Sequence, residues 1–516
     1  MQRFGIRGFK GLWWDGLDNY RLAVPWMARH QLNFLMTCYS SFPESGARWR
    51  EPFPPDTLDG LHKLSLDARN NGIHLCVALN PGIWSEPPLT YGDPSEAERI
   101  VKKIRQLHRV GIQWYGLCLD DINRSLGDAD QRRFGSLGKA QAYWVNTIWQ
   151  QVSHLSPRPR LLFCPSVYTT VDGHQHSDYL KEIRVISREI PFFWTGPTVC
   201  AAQIQRTDVI EWTRLTGRKP FIWDNYPVND MFQFRPILGP LRRRGADLPL
   251  LTEGYMANPM RQWHLSTLPL ATMAAYVNDP AQYEPERAIR HAITEWPQEC
   301  CSALELAVES YGACFWGDPG FPQFQRWNGD NAPNRLRTLR ALRARMHRLA
   351  PLSDFWNELQ PTVNEEITAL SSVVARRQSA DMTTVYGDQI TGGAADLYGA
   401  LHWGELANLV YARSTGRHEM SATLQAPASG ARALRIRGRN ADIGPLPHIS
   451  IRLGDHEIHH GQLPLPQDRY DAVTLPLPGR LTLKGAIPCM IRCEEPEGIL
   501  GMPPWFMVSE LQLLEH

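Results

Sequence analysis

Two adjacent carboxylates, Asp120 and Asp121, end the apolar run Trp114-Tyr115-Gly116-Leu117-Cys118-Leu119. Side by side, each anion raises the cost of ionising the other, so their titrations separate and one member is expected to keep its proton near neutrality. An acid and a base at one point is what proton-transfer catalysis needs. An apolar run of about six to eight residues suits a buried parallel strand, and α/β barrels keep their chemistry just past the carboxyl ends of such strands. Asp is also a favoured helix N-cap. The pair alone leaves both readings open.

The elements around the pair decide between them. Up to about residue 278, short apolar runs alternate with helical patterns, the signature of βαβ units and a parallel sheet. The expected strands are Phe4–Phe9, Asn33–Cys38, Ile73–Leu79, Ile112–Leu119, Arg160–Cys164, Ile190–Thr195, Pro220–Trp223 and Pro249–Met256. Asp93-Pro94 opens a helix with Ile100, Ile104 and Leu107 on one face, and Gly111 closes it. Asp56 is placed to cap another, with Leu58, Leu61 and Leu64, before Asn71-Gly72. Eight such units make a (β/α)8 TIM barrel. After the strands come Gly8-Phe9-Lys10-Gly11, Tyr39, Asn80-Pro81-Gly82, Asp120-Asp121, Tyr168, Thr195-Gly196-Pro197, Asp224-Asn225-Tyr226 with Asp230, and Asn258-Pro259. Plain turn chemistry is the preferred reading of Asn80-Pro81-Gly82 and Thr195-Gly196-Pro197. Asp120, Asp121, Tyr168, Asn225, Asp230 and Asn258 converge instead on one barrel mouth as a polar pocket.

Composition narrows the ligand. The 516 residues exceed one usual domain, and 54 Lys plus Arg against 53 Asp plus Glu leave no electrostatic footprint for nucleic acid or an anionic membrane. A small or neutral ligand is favoured, and the 18 Trp offer aromatic faces for sugars as well as core material. Cys38, Cys76, Cys118 and Cys164 fall in apolar runs as free thiols do, and neither Cys300-Cys301 nor Cys489 with Cys493 has C-x-x-C spacing. With no leader pattern and no spanning stretch, a cytoplasmic location is expected. Asp172, His174 and His176 could ligate a metal, but a polar surface loop is the favoured reading; His459-His460 is a weaker candidate. G-x-S-x-G, P-loop, H-E-x-x-H and G-x-G-x-x-G patterns do not occur.

Leu119-Asp120-Asp121-Ile122, Phe163-Cys164-Pro165, Trp194-Thr195-Gly196-Pro197, Trp223-Asp224-Asn225 with Asn229-Asp230, and Asn258-Pro259 together resemble glycoside hydrolase family 84, the O-GlcNAcase and bacterial β-N-acetylglucosaminidase family. Trp49-Arg50-Glu51-Pro52 and Asn278-Asp279-Pro280, with Tyr283 and Pro285, extend the likeness over roughly the first 300 residues. The resemblance implies that Asp120 orients and polarises a substrate 2-acetamido group and that Asp121 is the general acid and base. It places Gly8, Tyr168, Trp223, Asn225, Asp230 and Asn258 against the substrate. Tyr168 and Trp223 would shape the acetamide pocket, while Asn225, Asp230 and Asn258 would hold hydroxyls and the reacting group. Two departures lie on the sugar-reading side: Arg7-Gly8-Phe9-Lys10-Gly11 replaces a Glu-Gly-Phe-Tyr-Gly-like stretch, and Tyr39 stands where a lysine is expected. GalNAc thereby rivals GlcNAc. Lys10 could supply the missing amine, although a lone lysine is more often solvated.

Most glycosidases use two carboxylates on opposite sides of the bond, which neighbours in sequence do not easily provide. Neighbours do suit a substrate that brings its own nucleophile, the acetamido oxygen, with Asp120 kept anionic and Asp121 raised in pKa. The expected activity is therefore that of a retaining exo-β-N-acetylhexosaminidase acting on an N-acetylhexosamine-containing glycan or glycoconjugate, without metal or organic cofactor. A catalytically silent sugar-binding protein and an endo-acting hyaluronidase-like enzyme are the alternatives. The expected domains are the barrel over 1–280, a helical domain over 281–379, and a β-sandwich over 380–516. Helices are read over Glu284–Trp296, Asn334–Leu349 and Glu365–Gln378, and alternating runs after Ser379 suggest the sandwich, carbohydrate-binding or simply packed.

Overall fold

A computed structural model describes residues 3–515 except 12–13, 15, 84, 231–234, 316–330, 378–382, 395–400, 403–404, 442–443, 480 and 499–503. The chain divides into two compact units, residues 1–301 with 311–318 and residues 302–310 with 319–516.

The first unit is a closed eight-stranded parallel barrel in sequential order. Its strands are β1 (Arg7–Lys10), β2 (Phe34–Met36), β3 (His74–Leu79), β4 (Trp114–Cys118), β5 (Arg160–Cys164), β6 (Phe192–Trp194), β7 (Pro220–Pro227) and β8 (Gly254–Asn258). Side chains alternate across a strand. Phe34, Met36, Cys38, Cys76, Ala78, Trp114, Cys118, Leu162, Cys164, Phe193, Phe221, Trp223 and Met256 share one buried cluster that fills the barrel. Continuing that inward register by two residues puts Lys10, Asn80, Asp120, Asn225 and Asn258 at the carboxyl-end mouth. Gly116 lies in the same register, where an added Cβ would stand 3.1 Å from Met36 Sδ, so a larger side chain there requires the Met36 side chain to shift.

Helices cover the barrel: α1 (Asp18–Arg29), α2 (Pro55–Asn70), α3 (Pro94–Arg109), α4 (Asp128–Phe134), α5 (Leu137–Val152), α6 (Thr170–Gln175), α7 (Ser177–Glu182), α8 (Arg206–Thr216), α9 (Leu248–Leu251) and α10 (Trp263–Asn278). Asp93 caps α3 as expected, its carboxylate accepting from the Ser95 amide at 2.8 Å, and Gly111 follows the helix with φ +91°. Asp56 is not a cap: Pro54 takes that position and Asp56 sits in the first turn of α2, because Pro55 already starts the helix. The expected strand Pro249–Met256 is also shorter. Leu248–Leu251 turn as α9, with Pro249 in its first turn, and β8 begins only at Gly254. Conversely β7 runs on from Trp223 to Pro227.

Beyond the barrel come α11 (Pro285–Thr294), α12 (Gln298–Tyr311), α13 (Ala332–Met346) and α14 (Ser353–Arg377). The helices between 281 and 379 are shared between the units, α11 with the first and α13 and α14 with the second. Gln378, the end expected for the last helix, and the change of texture at Ser379 lie outside the described residues. In the second unit one antiparallel sheet runs Thr391–Gly392, Glu419–Gln425, Ala486–Cys493, His448–Leu453, His456–Gln462. The other runs Asn408–Tyr411, Trp505–Leu514, Ala433–Asn440, Asp471–Pro476, with Thr384–Tyr386 also paired to Trp505–Leu514. Met420, Leu424, Ile449, Ile451 and Ile491 from the first and Val410, Leu434, Ile436, Phe506 and Val508 from the second share one core, which makes the pair a β-sandwich.

Candidate active site

β4 delivers the carboxylate pair. Trp114, Gly116 and Cys118 alternate inward, and Asp120 takes the next inward position, 5% exposed. Asp121 is exposed and adopts φ +53°, a left-handed conformation that Asp tolerates better than most residues but that still costs energy. No helix begins at the pair: α4 starts at Asp128 with Gly127 as its N-cap, so the capping explanation is removed.

The two carboxylates therefore differ in surroundings despite being neighbours. Tyr39 Oη donates to Asp120 Oδ2 at 3.3 Å. Asn80 Nδ2 donates to the Asp120 carbonyl at 3.2 Å and reaches Oδ1 at 3.5 Å. Burial, with the Asp121 charge beside it, pushes the Asp120 carboxyl up to about 7, against the opposing pull of Lys10, its own backbone amide and the Tyr39 hydroxyl. The expectation has Asp120 as the anion and Asp121 as the group with the raised pKa; here burial raises Asp120 itself, because the barrel shields it from water. Asp121 accepts from Tyr168 Oη at 2.8 Å. Burial and the two carboxylates hold the Tyr168 and Tyr39 phenols well above their ordinary range, so both remain hydrogen-bond donors.

On the far wall, Asn258 Nδ2 donates to Asn225 Oδ1 at 2.9 Å, and Asn225 Nδ2 donates to the Val199 carbonyl at 2.7 Å. Trp223 is buried, edge-on to Phe193 with centroids 5.3 Å apart. Between them Asp224 turns outward, takes a two-pronged ion pair from Arg244 at 2.7 and 2.8 Å and accepts from Tyr255 Oη at 2.5 Å, so its role is structural. Asp230 is half-buried on the segment after β7. Gly8 has a packing reason of its own: a Cβ there would stand 1.7 Å from the Phe34 carbonyl oxygen, so β1 and β2 approach only because it is glycine.

Three residues gain importance over their sequence reading. Asn80 is a direct partner of Asp120 and not merely a turn residue; the Cys76-Ala78-Asn80 register carried that signal. Tyr39 reaches Asp120 itself. Lys10 is 2% exposed rather than solvated, with its ammonium 4.3 Å from the Trp223 ring centre and 5.0 Å from that of Tyr39. The Asp172, His174 and His176 set does not converge. Asp172 pairs with Arg124 at 2.7 Å and His176 at 3.3 Å, while His174 turns to Glu211 at 3.5 Å. Among the described residues no group of three or more His, Cys, Asp or Glu is placed to hold a metal ion, and no helix is long and apolar enough to cross a membrane.

A buried and an exposed carboxylate at one mouth, each held by a tyrosine, can bind an N–H and exchange a proton within a few ångströms. Residues 3–309, more than half of the chain, match the family model described as beta-N-acetylglucosaminidase. The Protein O-GlcNAcases of Mus musculus and Rattus norvegicus are each 25% identical over 291 residues, 49% of this chain and 31% of theirs. The match thus spans about a third of the length of these curated relatives. Among solved structures, CpGH84B superposes with a TM-score of 0.61 at 20% identity, covering 72% of this chain and 68% of its own. A mutant O-GlcNAc hydrolase of Thermobaculum terrenum superposes with a TM-score of 0.58 at 26% identity, covering 73% of this chain and 85% of its own.

Proposed function

The chain belongs to the beta-N-acetylglucosaminidase family, glycoside hydrolase family 84, and from that premise we propose that it is a retaining exo-acting glycoside hydrolase. Its substrate is a terminal β-linked N-acetylhexosamine on a glycan or glycoconjugate. One observation carries the reading: adjacent carboxylates in unlike surroundings, Asp120 buried against Tyr39 and Asn80, Asp121 exposed on a left-handed residue and held by Tyr168.

That geometry suits substrate-assisted cleavage. The substrate's acetamido oxygen attacks the anomeric carbon as the bond to the leaving oxygen breaks. Asp120, as the anion, accepts the acetamide N–H and stabilises the positive charge growing on that group. Asp121 gives its proton to the departing oxygen, a contribution of about 10²–10⁴ in rate. Water then attacks the anomeric carbon of the oxazoline-type intermediate, returns a proton to Asp121 and restores the acetamide, so configuration is retained. Trp223 and Tyr168 would enclose the acetamide, and Asn225, Asp230 and Asn258 would hold hydroxyls. By the resemblance, Tyr39 and Lys10 depart from the family pattern at positions that read hydroxyls, and on that ground the reading keeps GalNAc beside GlcNAc as a substrate.

Aryl β-glycosides of GlcNAc, GalNAc and glucose test the reading. Turnover of at least one N-acetylated sugar with none of the glucoside is expected. Comparable rates on the glucoside, or an inverted first product by NMR, would overturn it.

A further inference from the structure

β4 and β5 pair in parallel up to Cys118 and Cys164. The next step of that ladder would join the Leu119 carbonyl to the Ser166 amide. The Leu119 amide does keep its ladder bond, to the Cys164 carbonyl at 2.8 Å. Its carbonyl instead accepts from the Ser166 hydroxyl at 2.7 Å, and the Ser166 amide donates to Tyr179 Oη at 3.0 Å. A side chain thus replaces a rung of the sheet immediately before the two carboxylates.

The partners set the direction of each proton in this group. A carbonyl only accepts, so the Ser166 hydroxyl spends its proton on Leu119, and Gln141 has to present its amide nitrogen to Ser166 Oγ. Gln141, fully buried on α5, makes that bond at 2.7 Å and a second from Nε2 to Tyr91 Oη at 3.0 Å. Its Oε1 accepts from Tyr179 Oη, which itself receives from the Ser166 amide. Burial holds the Tyr179 phenol above its ordinary range, so it keeps the proton it donates. The bonds close a loop that leaves Ser166 by its amide, returns through Tyr179 and Gln141 to its hydroxyl, and ends on Leu119. A buried network satisfied in this way rigidifies what it holds.

The carbonyl of Ser166 is also used, accepting from Arg124 Nη2 at 2.7 Å. The chain is therefore pinned to Ser166 on both sides of the carboxylates, at Leu119 before them and at Arg124 after. Two residues further along each segment comes the next cross-link, Tyr168 Oη to Asp121 Oδ1. The Ser166–Leu119 bond is the rung before the Tyr168–Asp121 bond, and it limits how far one segment can slide past the other. Asp120 has separate anchors in Tyr39 and Asn80. Asp121 holds a left-handed φ of +53°, and such a conformation persists only where its surroundings over-determine it.

We propose that Ser166, with its hydroxyl directed by Gln141 and Tyr179, is a positioning residue for proton transfer by Asp121. It is 1% exposed and acts through Leu119 and Tyr168, not on the sugar. This rests on the hydrolase reading above.

The test compares Ser166→Ala with wild type on a dinitrophenyl and a methoxyphenyl β-N-acetylhexosaminide, in whichever of the GlcNAc or GalNAc series wild type hydrolyses faster. Melting curves are taken alongside, and rates are measured well below the melting temperature. The methoxyphenyl group needs a proton from Asp121 to leave and the dinitrophenyl group does not. Ser166→Ala is expected to lose about 10-fold in kcat/KM on the former and less than about 2-fold on the latter. A loss of folded protein lowers both rates together, so a leaving-group ratio that stays at the wild-type value overturns the inference while the hydrolase reading stands. If wild type turns over neither series, both fall together. Should Ser166→Ala not fold, Tyr179→Phe opens the same loop one bond further back: a ratio shifted several-fold in the same sense supports the inference, and an unchanged ratio overturns it.

Discussion

The Tyr168 hydroxyl donates to Asp121 Oδ1 at 2.8 Å, tying the segment after β5 to a carboxylate that follows β4. An exposed carboxylate on a left-handed residue would otherwise sample several rotamers. The bond fixes which oxygen faces the pocket.

Tyr168→Phe removes that bond without removing the ring. A hydrogen bond is worth about 0.5–1.5 kcal/mol net, so kcat/KM for an aryl N-acetylhexosaminide is expected to fall about 2- to 10-fold. Tyr168 is half-buried, so the melting temperature should move little. An unchanged rate would remove Tyr168 from the site.

Asp120 has to be an anion to accept the acetamide N–H, and its carboxyl is raised to about 7 by burial and by Asp121. The rate should therefore fall as pH drops through about 7. Tyr39→Phe takes away a donor that favours the anion, so the acidic limb of the kcat/KM profile should move to higher pH. A limb that stays in place, or moves down, contradicts the assigned partnership.

The same shift bears on stability. Because the folded chain binds this proton more tightly than the unfolded chain, the contribution favours folding below the ordinary carboxylate range near ~4 and is lost as pH rises through about 7. Asp120→Asn abolishes that titration. Relative to wild type it should gain stability at pH 8, on the order of a few kcal/mol, and the gain should shrink toward pH 4. Denaturant curves at the two pH values check the sign.

Asp224 and Arg244 are 0% and 5% exposed at the side chain and form a two-pronged pair. Arg244→Met leaves a buried carboxylate whose remaining side-chain hydrogen bond among the described residues is from Tyr255, and breaking such a pair costs about 3–5 kcal/mol. A large drop in melting temperature is expected. A loss of rate without a loss of stability would mean that Asp224 has a chemical role.

Much of this was legible in the chain because the barrel obeys two periodicities. The apolar run ending in Asp120-Asp121 marked β4 and the pair beyond it, and Trp223-Asp224-Asn225 marked the rim at β7, although that strand runs on to Pro227. Asn80 was legible in principle through Cys76 and Ala78, but Pro81-Gly82 gave a sufficient turn explanation and masked it. Pro249 misled because an apolar run with no polar alternation reads alike as strand or helical turn. The burial of Lys10 depends on Trp223, which stands more than two hundred positions along the chain, and the outward pairing of Asp224 depends on Arg244 in a loop. No local pattern encodes either.

The roles of the two carboxylates are separated most directly by leaving-group dependence. Asp121→Asn suits the left-handed backbone and cannot donate the proton, so it should keep much of its cleavage rate on a dinitrophenyl glycoside, whose leaving group needs none, and lose far more on a poor leaving group. Asp120→Ala should be impaired on both, because acetamide attack is required whatever departs. Equal leaving-group dependence in the two variants would contradict the division of roles, and near-normal rates in both would contradict the site.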